Sequence, residues 1–255
     1  MSKRLAGRKI IITGGAAGIG FIAAGFMVRE GAAVALLDLD GKQAEESARI
    51  LAKEGGKAIG IGVNVADASA MERAAREARD ELGIIDGLFN NAGIAVFGAV
   101  HDSSAENWQS MWDVNVIGTV LASKAVLPDM MAQKKGAIVN VGSVAGMVGI
   151  PNMAAYCTVK GAIISLTRQM AVEYAKYNVR VNCVNPGTVA DTAMGRKLLG
   201  SDNSAEAMAR RLAKYPAGRF AKPEEIAEAV VFLLSDDASF CFGSILAVDG
   251  GMTAL

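Results

Sequence analysis

Cysteine is scarce in this sequence, and charge of neither sign is in excess. The three cysteines, Cys157, Cys183 and Cys241, are too few and too scattered for a disulfide framework or a zinc site, so we expect free thiols in a reducing compartment and no bound metal. The 26 basic and 26 acidic side chains balance. A balanced charge gives the chain no attraction to nucleic acid or to an anionic membrane, and we expect neither as a partner.

Long apolar segments are also missing. No run of about 18 apolar residues occurs, and the first residues carry no apolar stretch of signal-peptide length. We find no internal repeat, low-complexity tract or linker. The sequence therefore predicts a soluble cytoplasmic protein. Its 255 residues, 52% hydrophobic and 20% charged, suffice for one large domain with a sizeable core, spanning 1–255.

Strand-like runs alternate with helical patterns along the chain, which predicts an α/β fold with a doubly wound parallel sheet of about seven strands and helices on both faces. The predicted strands are 10–13, 33–37, 58–63, 87–89, 137–141, 179–184 and 244–248, and long helices are predicted over 105–131 and 152–174. The least regular segment, about 188–215, follows the sixth strand at the carboxyl edge of the sheet. It is either a mobile lid over a substrate or a static helical hairpin.

A glycine turn joins the first strand to the first helix. Gly14, Gly18 and Gly20 lack a Cβ, and the start of a helix offers free N–H groups and a partial positive charge, which together suit a pyrophosphate. The alternative is a plain glycine-rich turn. Asp38 ends the second strand about 20 residues later, where a carboxylate suits the ribose hydroxyls of NAD and repels the 2′-phosphate of NADP. The alternative for Asp38 is an ordinary loop carboxylate.

Tyr156 and Lys160 lie four residues apart on a predicted helix, so their side chains share one face. An ammonium beside a tyrosine lowers the pKa of the phenol, and such a pair can exchange a proton with a carbonyl oxygen while a nicotinamide moves the hydride. Ser143 follows the fifth strand and can hydrogen-bond the same oxygen. Each of these residues has an alternative without function. Tyr156 and Lys160 could be a surface tyrosine and a solvated lysine, and Ser143 could be a turn serine. Asn115, in the long helix predicted over 105–131, could be an ordinary polar residue of that helix.

Taken together, these residues closely resemble the classical type of the short-chain dehydrogenase/reductase family. Ser143 precedes Tyr156 by the family's thirteen residues, and the family's motifs follow in order along essentially the whole chain. They are Thr-Gly-x-x-x-Gly-x-Gly at 13–20, Asn-Asn-Ala-Gly at 90–93, the tetrad Asn115, Ser143, Tyr156 and Lys160, Asn-Pro-Gly at 185–187, and Asp-Gly-Gly at 249–251. The resemblance implies a single Rossmann-fold dehydrogenase domain and, with Asp38, NAD(H) as the cofactor in preference to NADP.

The resemblance also implies a role for each residue. Tyr156 would be the general acid/base, Lys160 would lower its pKa and hold the nicotinamide ribose, Ser143 would position the substrate oxygen, and Asn115 would hold a water of a proton relay. Asp38 would bind the adenosine ribose. The other implied cofactor contacts are Gly14, Ala17, Gly18, Ile19, Gly20, Asn64, Val65, Asn91, Ala92, Gly93, Pro186, Gly187, Val189 and Thr192. The family is usually tetrameric, so we expect a homotetramer with the long helices around Asn115 and Tyr156 between subunits.

Two positions depart from the family pattern. Asn64 stands where many members have Asp, but its amide oxygen can still accept a hydrogen bond from the adenine amino group. Asp191 stands where the pattern places a threonine, and Thr192 follows it. Either the lid begins with one extra residue, or Asp191 itself faces the site.

The residues expected around the substrate are apolar, and several are adaptable methionines. Asp191 is added as a group that could steer a polar or cationic part of the substrate. The expected apolar lining is Ile94, Val96, Phe97, Val144, Met147, Val148, Met153 and Met194. No arginine or lysine stands among them, so we expect a neutral, hydrophobic secondary alcohol or ketone, for example an alicyclic one. The alternative for Val144 and Val148 is that they are simply core.

The expected reaction is the interconversion of a secondary alcohol and a ketone by hydride transfer. A 3-oxoacyl-thioester reductase of the acyl-carrier-protein type is an alternative, although Asp38 and the zero net charge fit it poorly. A non-catalytic protein that binds NAD as a regulatory signal is a further alternative, against which the complete tetrad argues.

Overall fold

The computed structural model describes residues 3–202 and 204–255, which form a parallel sheet of seven strands in the order β3-β2-β1-β4-β5-β6-β7. This order reverses direction between β1 and β4, the point at which doubly wound folds open a ligand crevice. The predicted fold class is confirmed. The strands are β1 (Lys9–Thr13), β2 (Ala33–Asp38), β3 (Lys57–Gly62), β4 (Gly87–Asn90), β5 (Gly136–Val141), β6 (Val179–Pro186) and β7 (Ile245–Val248).

The strands form because short runs of β-branched and other apolar residues are buried on both faces of the sheet. One face packs against α1 and α9, and the other packs against α3, α5 and α6. The helices are α1 (Gly18–Arg29), α2 (Gly41–Lys53), α3 (Ala68–Leu82), α4 (Ala105–Trp112), α5 (Gly118–Gln133), α6 (Ala154–Tyr174), α7 (Ala193–Leu199), α8 (Ala205–Leu212) and α9 (Pro223–Leu234).

The long fourth helical region is interrupted. A π-helical turn over Asp113–Ile117 separates α4 from α5, whereas the sequence predicted one continuous helix. A π turn inserts one extra residue into a helix, and such turns are frequent at functional sites. The π turn of this protein contains Asn115.

The run Ala105–Gln133 is also long and apolar enough, by length and composition, to cross a membrane. Its polar residues are scattered among apolar ones, which is why the sequence shows no unbroken apolar run. Half of its most apolar window is buried inside this fold. One side of the run therefore packs into the core of the domain.

The segment 188–215, called the lid below, is described apart from residue 203 and contains two short helices, α7 and α8. Thr192 caps α7 by accepting a hydrogen bond from the Gly195 N–H at 2.9 Å, and Ser204 caps α8 in the same way from Ala207 at 3.2 Å. Both side chains satisfy N–H groups that a helix start leaves free. The lid follows β6 directly, so it lies at the carboxyl edge of the sheet.

Candidate active site

The loop after β1 leaves room that a side chain would fill. Gly14 has a φ of +61°, and a Cβ there would lie 2.9 Å from the Ala92 Cα. A Cβ on Gly20 would overlap the Gly14 carbonyl oxygen. The Asn91 side chain donates to that same oxygen at 2.8 Å, which ties this loop to the one after β4. The result is a backbone cradle at the start of α1, which fits a dinucleotide pyrophosphate.

Asp38 lies beside this cradle at the end of β2. Its carboxylate accepts hydrogen bonds from the Ala16 N–H at 3.1 Å and the Asp40 N–H at 3.3 Å, which hold it at the edge of the glycine loop. Asn64 and Val65 follow β3, the neighbouring strand. The Asn64 Oδ1 already accepts the Ala66 N–H at 3.0 Å, so one of its two lone pairs is left for a ligand.

The tyrosine and serine of the tetrad meet at the carboxyl ends of β5 and β6. The Ser143 N–H donates to Asn185 Oδ1 at 3.1 Å, and the Ser143 Oγ accepts the Ala145 N–H at 3.1 Å. The Tyr156 hydroxyl donates to the sulfur of Met194 at 3.7 Å. Burial raises the pKa of Tyr156 to about 12, although hydrogen bonding to Ser143 opposes that rise.

Lys160 and Asn115 are the other two residues of the tetrad. The Lys160 ammonium donates to the Val141 carbonyl at 2.9 Å and lies 5.6 Å from the centre of the Tyr156 ring, and burial lowers its pKa to about 8. The Asn115 Nδ2 donates to the Ile94 and Met111 carbonyls, while its Oδ1 is buried with no partner among the described residues. A buried amide oxygen normally accepts a hydrogen bond. A bound water is therefore the partner that suits the Asn115 Oδ1.

A cavity of about 780 Å³ contains most of the residues assigned from the sequence. They are Gly14, Ala17, Gly18, Ile19, Asn91, Ala92, Gly93, Phe97, Ser143, Val144, Met153, Tyr156, Lys160, Pro186, Gly187, Val189, Asp191, Thr192 and Met194. The volume falls within the range that small-molecule sites occupy. Tyr156 and the glycine loop therefore share one cavity, as a hydride transfer between substrate and cofactor requires.

Other assigned residues lie outside this lining. Gly20, Asp38, Asn64, Val65 and Asn115 are absent from it, as are Ile94, Val96, Met147 and Val148. Ile94, Met147 and Val148 are each more than a third exposed, and Met147 directly follows the short 3₁₀ turn Val144–Gly146. The apolar lining therefore differs in membership from the set that the sequence predicted. Ile150 and Pro151, which the sequence reasoning did not single out, contribute to it.

Asp191 and Thr192 both line the cavity, but in different ways. The Thr192 hydroxyl donates to the Val189 carbonyl at 2.9 Å, and its methyl lies 3.8 Å from where a Cβ of Gly18 would be. Asp191 is exposed and its carbonyl accepts from Arg196 at 3.1 Å. The buried threonine thus covers the glycine loop, and the aspartate lies at the rim.

The cavity also contains cations that the sequence reasoning missed. Arg196, Lys197, Arg211 and Lys214 all line it, against Asp191 as the acidic residue in the described lining. The expectation of a pocket without arginine or lysine is therefore corrected. No motif marks these side chains, and they enter the site only because α7 and α8 fold back over the sheet. The one feature of the sequence that could have indicated them is that all four lie in the segment predicted as a lid.

Comparison with known proteins places this site in a family. Residues 14–253 match the family model described as enoyl-(acyl carrier protein) reductase. The chain belongs to the short-chain dehydrogenase/reductase family. It is 58% identical over 255 residues, the full length of both chains, to 2-(S)-hydroxypropyl-CoM dehydrogenase 3 of Xanthobacter autotrophicus. A protein of the same organism named as an inactive 2-(S)-hydroxypropyl-CoM dehydrogenase 2 is also 58% identical, over 89% of this chain and 98% of its own.

More distant relatives are named as dehydrogenases of other alcohols. Cyclopentanol dehydrogenase of Comamonas sp. is 39% identical over 98% of this chain and 99% of its own. The crystal structure of NAD⁺-bound xylitol dehydrogenase superposes with a TM-score of 0.93 at 35% identity, covering 98% of this chain and all of the other. The predicted family is confirmed, and oxidoreduction of a secondary alcohol is the activity that these relatives support.

Proposed function

We propose that this protein is an NAD-dependent dehydrogenase of a secondary alcohol that carries an anionic group at the end of a short chain. The observation that supports this proposal is that two cations, Arg211 and Lys214, line the same cavity as Tyr156. 2-Hydroxypropyl-CoM, named for the relative of 58% identity, has this chemistry: its secondary alcohol is joined through a thioether to a terminal sulfonate. The expectation of a neutral substrate is revised accordingly.

We assign the binding of such an anion to Arg211 and Lys214. Arg211 is half-buried near the end of α8, and one guanidinium nitrogen donates to the Asp202 carbonyl at 2.6 Å, which orients the group. Its other N–H groups make no hydrogen bond with the described residues and can bind a ligand. Lys214 has no hydrogen-bond partner within the described part of the chain. A guanidinium and an ammonium that line the same cavity suit a sulfonate, since the first offers paired donors and the second a compact charge.

The tetrad supplies the proton chemistry at the other end of the substrate. Tyr156 would take the hydroxyl proton of the alcohol, and Ser143 would hold the same oxygen by a hydrogen bond. Lys160 would place a positive charge near the phenolate, and Asn115 would hold a water through its unpaired Oδ1. Bound NAD would accept the hydride from the carbinol carbon.

We propose NAD rather than NADP because of the group at the end of β2. The Asp38 carboxylate would accept hydrogen bonds from the two ribose hydroxyls and would repel a 2′-phosphate. Ala16 and Ala17 offer no positive charge to offset that repulsion. The NAD⁺-bound xylitol dehydrogenase with its similar fold is consistent with this choice.

A neutral hydrophobic alcohol, for example an alicyclic one, is the second candidate substrate. Phe97, Val144, Ile150, Met153 and Met194 form an apolar part of the lining, and cyclopentanol dehydrogenase is among the relatives. An acyl-thioester reductase fits less well, since the cofactor choice and the balanced charge argue against it. The complete tetrad argues against a purely NAD-binding role, although one near relative is named as inactive. We also propose a cytoplasmic homotetramer without nucleic-acid or membrane partners.

The test measures NADH formation with two matched sets of secondary alcohols, one neutral and one ending in a sulfonate or carboxylate. We expect turnover with NAD, weak turnover with NADP, and preference for the anionic set. Arg211→Met and Lys214→Met should each raise KM for the anionic set by about tenfold or more and leave KM for neutral alcohols nearly unchanged. Tyr156→Phe is the control for the chemistry and should abolish both.

Equal efficiency on both sets in the unmodified protein would contradict the anion site. Equal efficiency with NAD and NADP would contradict the argument from Asp38. No turnover of either set by a protein that still binds NADH would favour the NAD-binding role.

A further inference from the structure

One wall of the cavity is held firmly in place. This wall loop, residues 91–98, follows β4. The Ile94 carbonyl accepts the Asn115 side-chain amide at 3.1 Å, and Gly98 exchanges backbone hydrogen bonds with Asn152 at 2.8 Å and Ala154 at 3.1 Å. The wall loop is therefore fixed both to the π turn that contains Asn115 and to the start of α6.

The lid is held in a different manner, at its two ends. The Tyr215 hydroxyl accepts the Thr188 N–H at 3.1 Å and donates to the Thr188 Oγ1 at 2.8 Å, and the Thr188 carbonyl accepts the Ala221 N–H at 3.0 Å. These bonds join the first and last residues of the lid to each other and to the chain after it. They do not hold α7, which lies in the middle of the lid, against the opposite wall.

Lys197 on α7 makes that connection. Its ammonium donates to the Ala95 carbonyl at 3.1 Å and lies 5.6 Å from the centre of the Phe97 ring. Within the part of the chain that the structure describes, this is the side-chain hydrogen bond that joins the lid to the wall loop. A charged donor and an aromatic face make each contact stronger than a neutral equivalent.

The position of α7 determines what covers the reacting groups. Met194 on this helix lies against the Tyr156 hydroxyl, and Thr192 at its start lies over Gly18. If α7 moved away from the wall loop, both covers would move with it. The alcohol would then lose the part of the cavity wall that these two side chains form, so its affinity would fall.

We propose that Lys197 is a positioning residue that latches the lid to the wall loop and so sets the affinity for the alcohol. Unlike Lys214, its ammonium is already engaged by a carbonyl and a ring, so it acts through α7 and not by pairing with the substrate anion. The inference rests on the proposed function only in its choice of substrates.

The test compares Lys197→Met, Lys197→Arg and Lys214→Met by amide hydrogen exchange and by steady-state kinetics. Methionine keeps the length of the stem over Phe97 but removes the donor and the charge. Lys197→Met should speed exchange in residues 193–199 and raise KM by about tenfold for neutral and anionic alcohols alike, with kcat changed by less than about threefold. Lys197→Arg should restore both. Lys214→Met should raise KM only for anionic alcohols and leave exchange unchanged.

Two results would overturn the latch. One is unchanged exchange in α7 after Lys197→Met. The other is a rise in KM confined to anionic alcohols, because that would make Lys197 another anion-binding group. The test also separates the latch from the proposed substrate class. Faster exchange in Lys197→Met would support the latch even if the unmodified protein showed no preference for anionic alcohols. That lack of preference would contradict only the proposed substrate class.

Discussion

At the scale of single residues, burial moves the catalytic pair toward neutrality. Tyr156 has its pKa raised to about 12, and Lys160 has its pKa lowered to about 8, because charge is costly in the interior of the fold. The sequence predicted that the ammonium would lower the pKa of the phenol. In this structure burial of the phenol raises its pKa instead, and the hydrogen bond with Ser143 is the group that opposes the rise.

This pair leads to a prediction about pH. Alcohol oxidation needs Tyr156 as a base, so its rate should rise with pH, and ketone reduction should fall. Lys160 is cationic below its pKa of about 8 and neutral above it, so its support of the phenolate is present at lower pH and is lost as pH rises through that value. The rate advantage of the unmodified protein over Lys160→Met should therefore shrink across this range.

The measurement is kcat/KM for oxidation by both proteins from about pH 6 to pH 10, with NADH binding followed separately by fluorescence. The binding measurement removes any effect of Lys160 on cofactor affinity. A ratio between the two proteins that stays constant over the range would show that the charge of Lys160 does not act on Tyr156.

Single residues also show what the sequence could predict of the site. Tyr156 and Ser143 were predictable because the spacing of a helix and the end of a strand are local properties. Arg211 and Lys214 were not, because they enter the cavity through the path of a lid that no local pattern determines. Lys197 was missed for the same reason, since its partner Ala95 lies 102 positions away in the chain.

At the scale of elements, the seven strands were predicted to within two residues at every end. Buried parallel strands are continuous apolar runs, and glycine or a charged helix separates them clearly here. The π turn over Asp113–Ile117 was not predictable, because an extra residue in a helix is stabilised by its surroundings and leaves no periodic signal. The lid was predicted as a helical hairpin or a mobile cover, and the structure gives it two capped helices.

Arg180 on β6 carries a prediction at this scale. Its guanidinium is buried and donates to the carbonyls of Leu233 at 2.7 Å, Leu234 at 3.3 Å and Ser235 at 2.8 Å, where α9 ends. The last carbonyls of a helix lack intrahelical partners and carry partial negative charge, so a cation there satisfies both needs. Arg180→Met should lower the free energy of unfolding by about 3 kcal/mol, measured by urea denaturation.

Arg76→Met is the matched control, because Arg76 is exposed on α3 and makes no hydrogen bond with any described residue. It should change the free energy of unfolding by less than about 0.5 kcal/mol. Arg180→Lys should fall between the two, since an ammonium can reach fewer of the three carbonyls. Equal stability of the Arg180→Met and Arg76→Met proteins would show that the helix end is satisfied in another way.

At the scale of the whole molecule, the helical run Ala105–Gln133 is apolar on more of its surface than the fold covers. Half of its most apolar window is buried, and within the run Trp112 is 41% and Val120 is 38% exposed. On α6, Val172 is 83% exposed. A run buried on one side against a sheet cannot be surrounded by lipid, whereas a second copy of the chain can cover its other side.

The proposed homotetramer gives this surface a specific test. The unmodified protein should sediment at about four times its chain mass of 26.4 kDa, and Val120→Asp should dissociate it, because a carboxylate buried between copies has no partner. Val100→Asp is the control: Val100 is 73% exposed but lies outside these helices, so the assembly should persist. Sedimentation of the unmodified protein as a monomer would contradict the assembly. A Val120→Asp protein that remained tetrameric would move the interface away from α5, to apolar positions such as Val172.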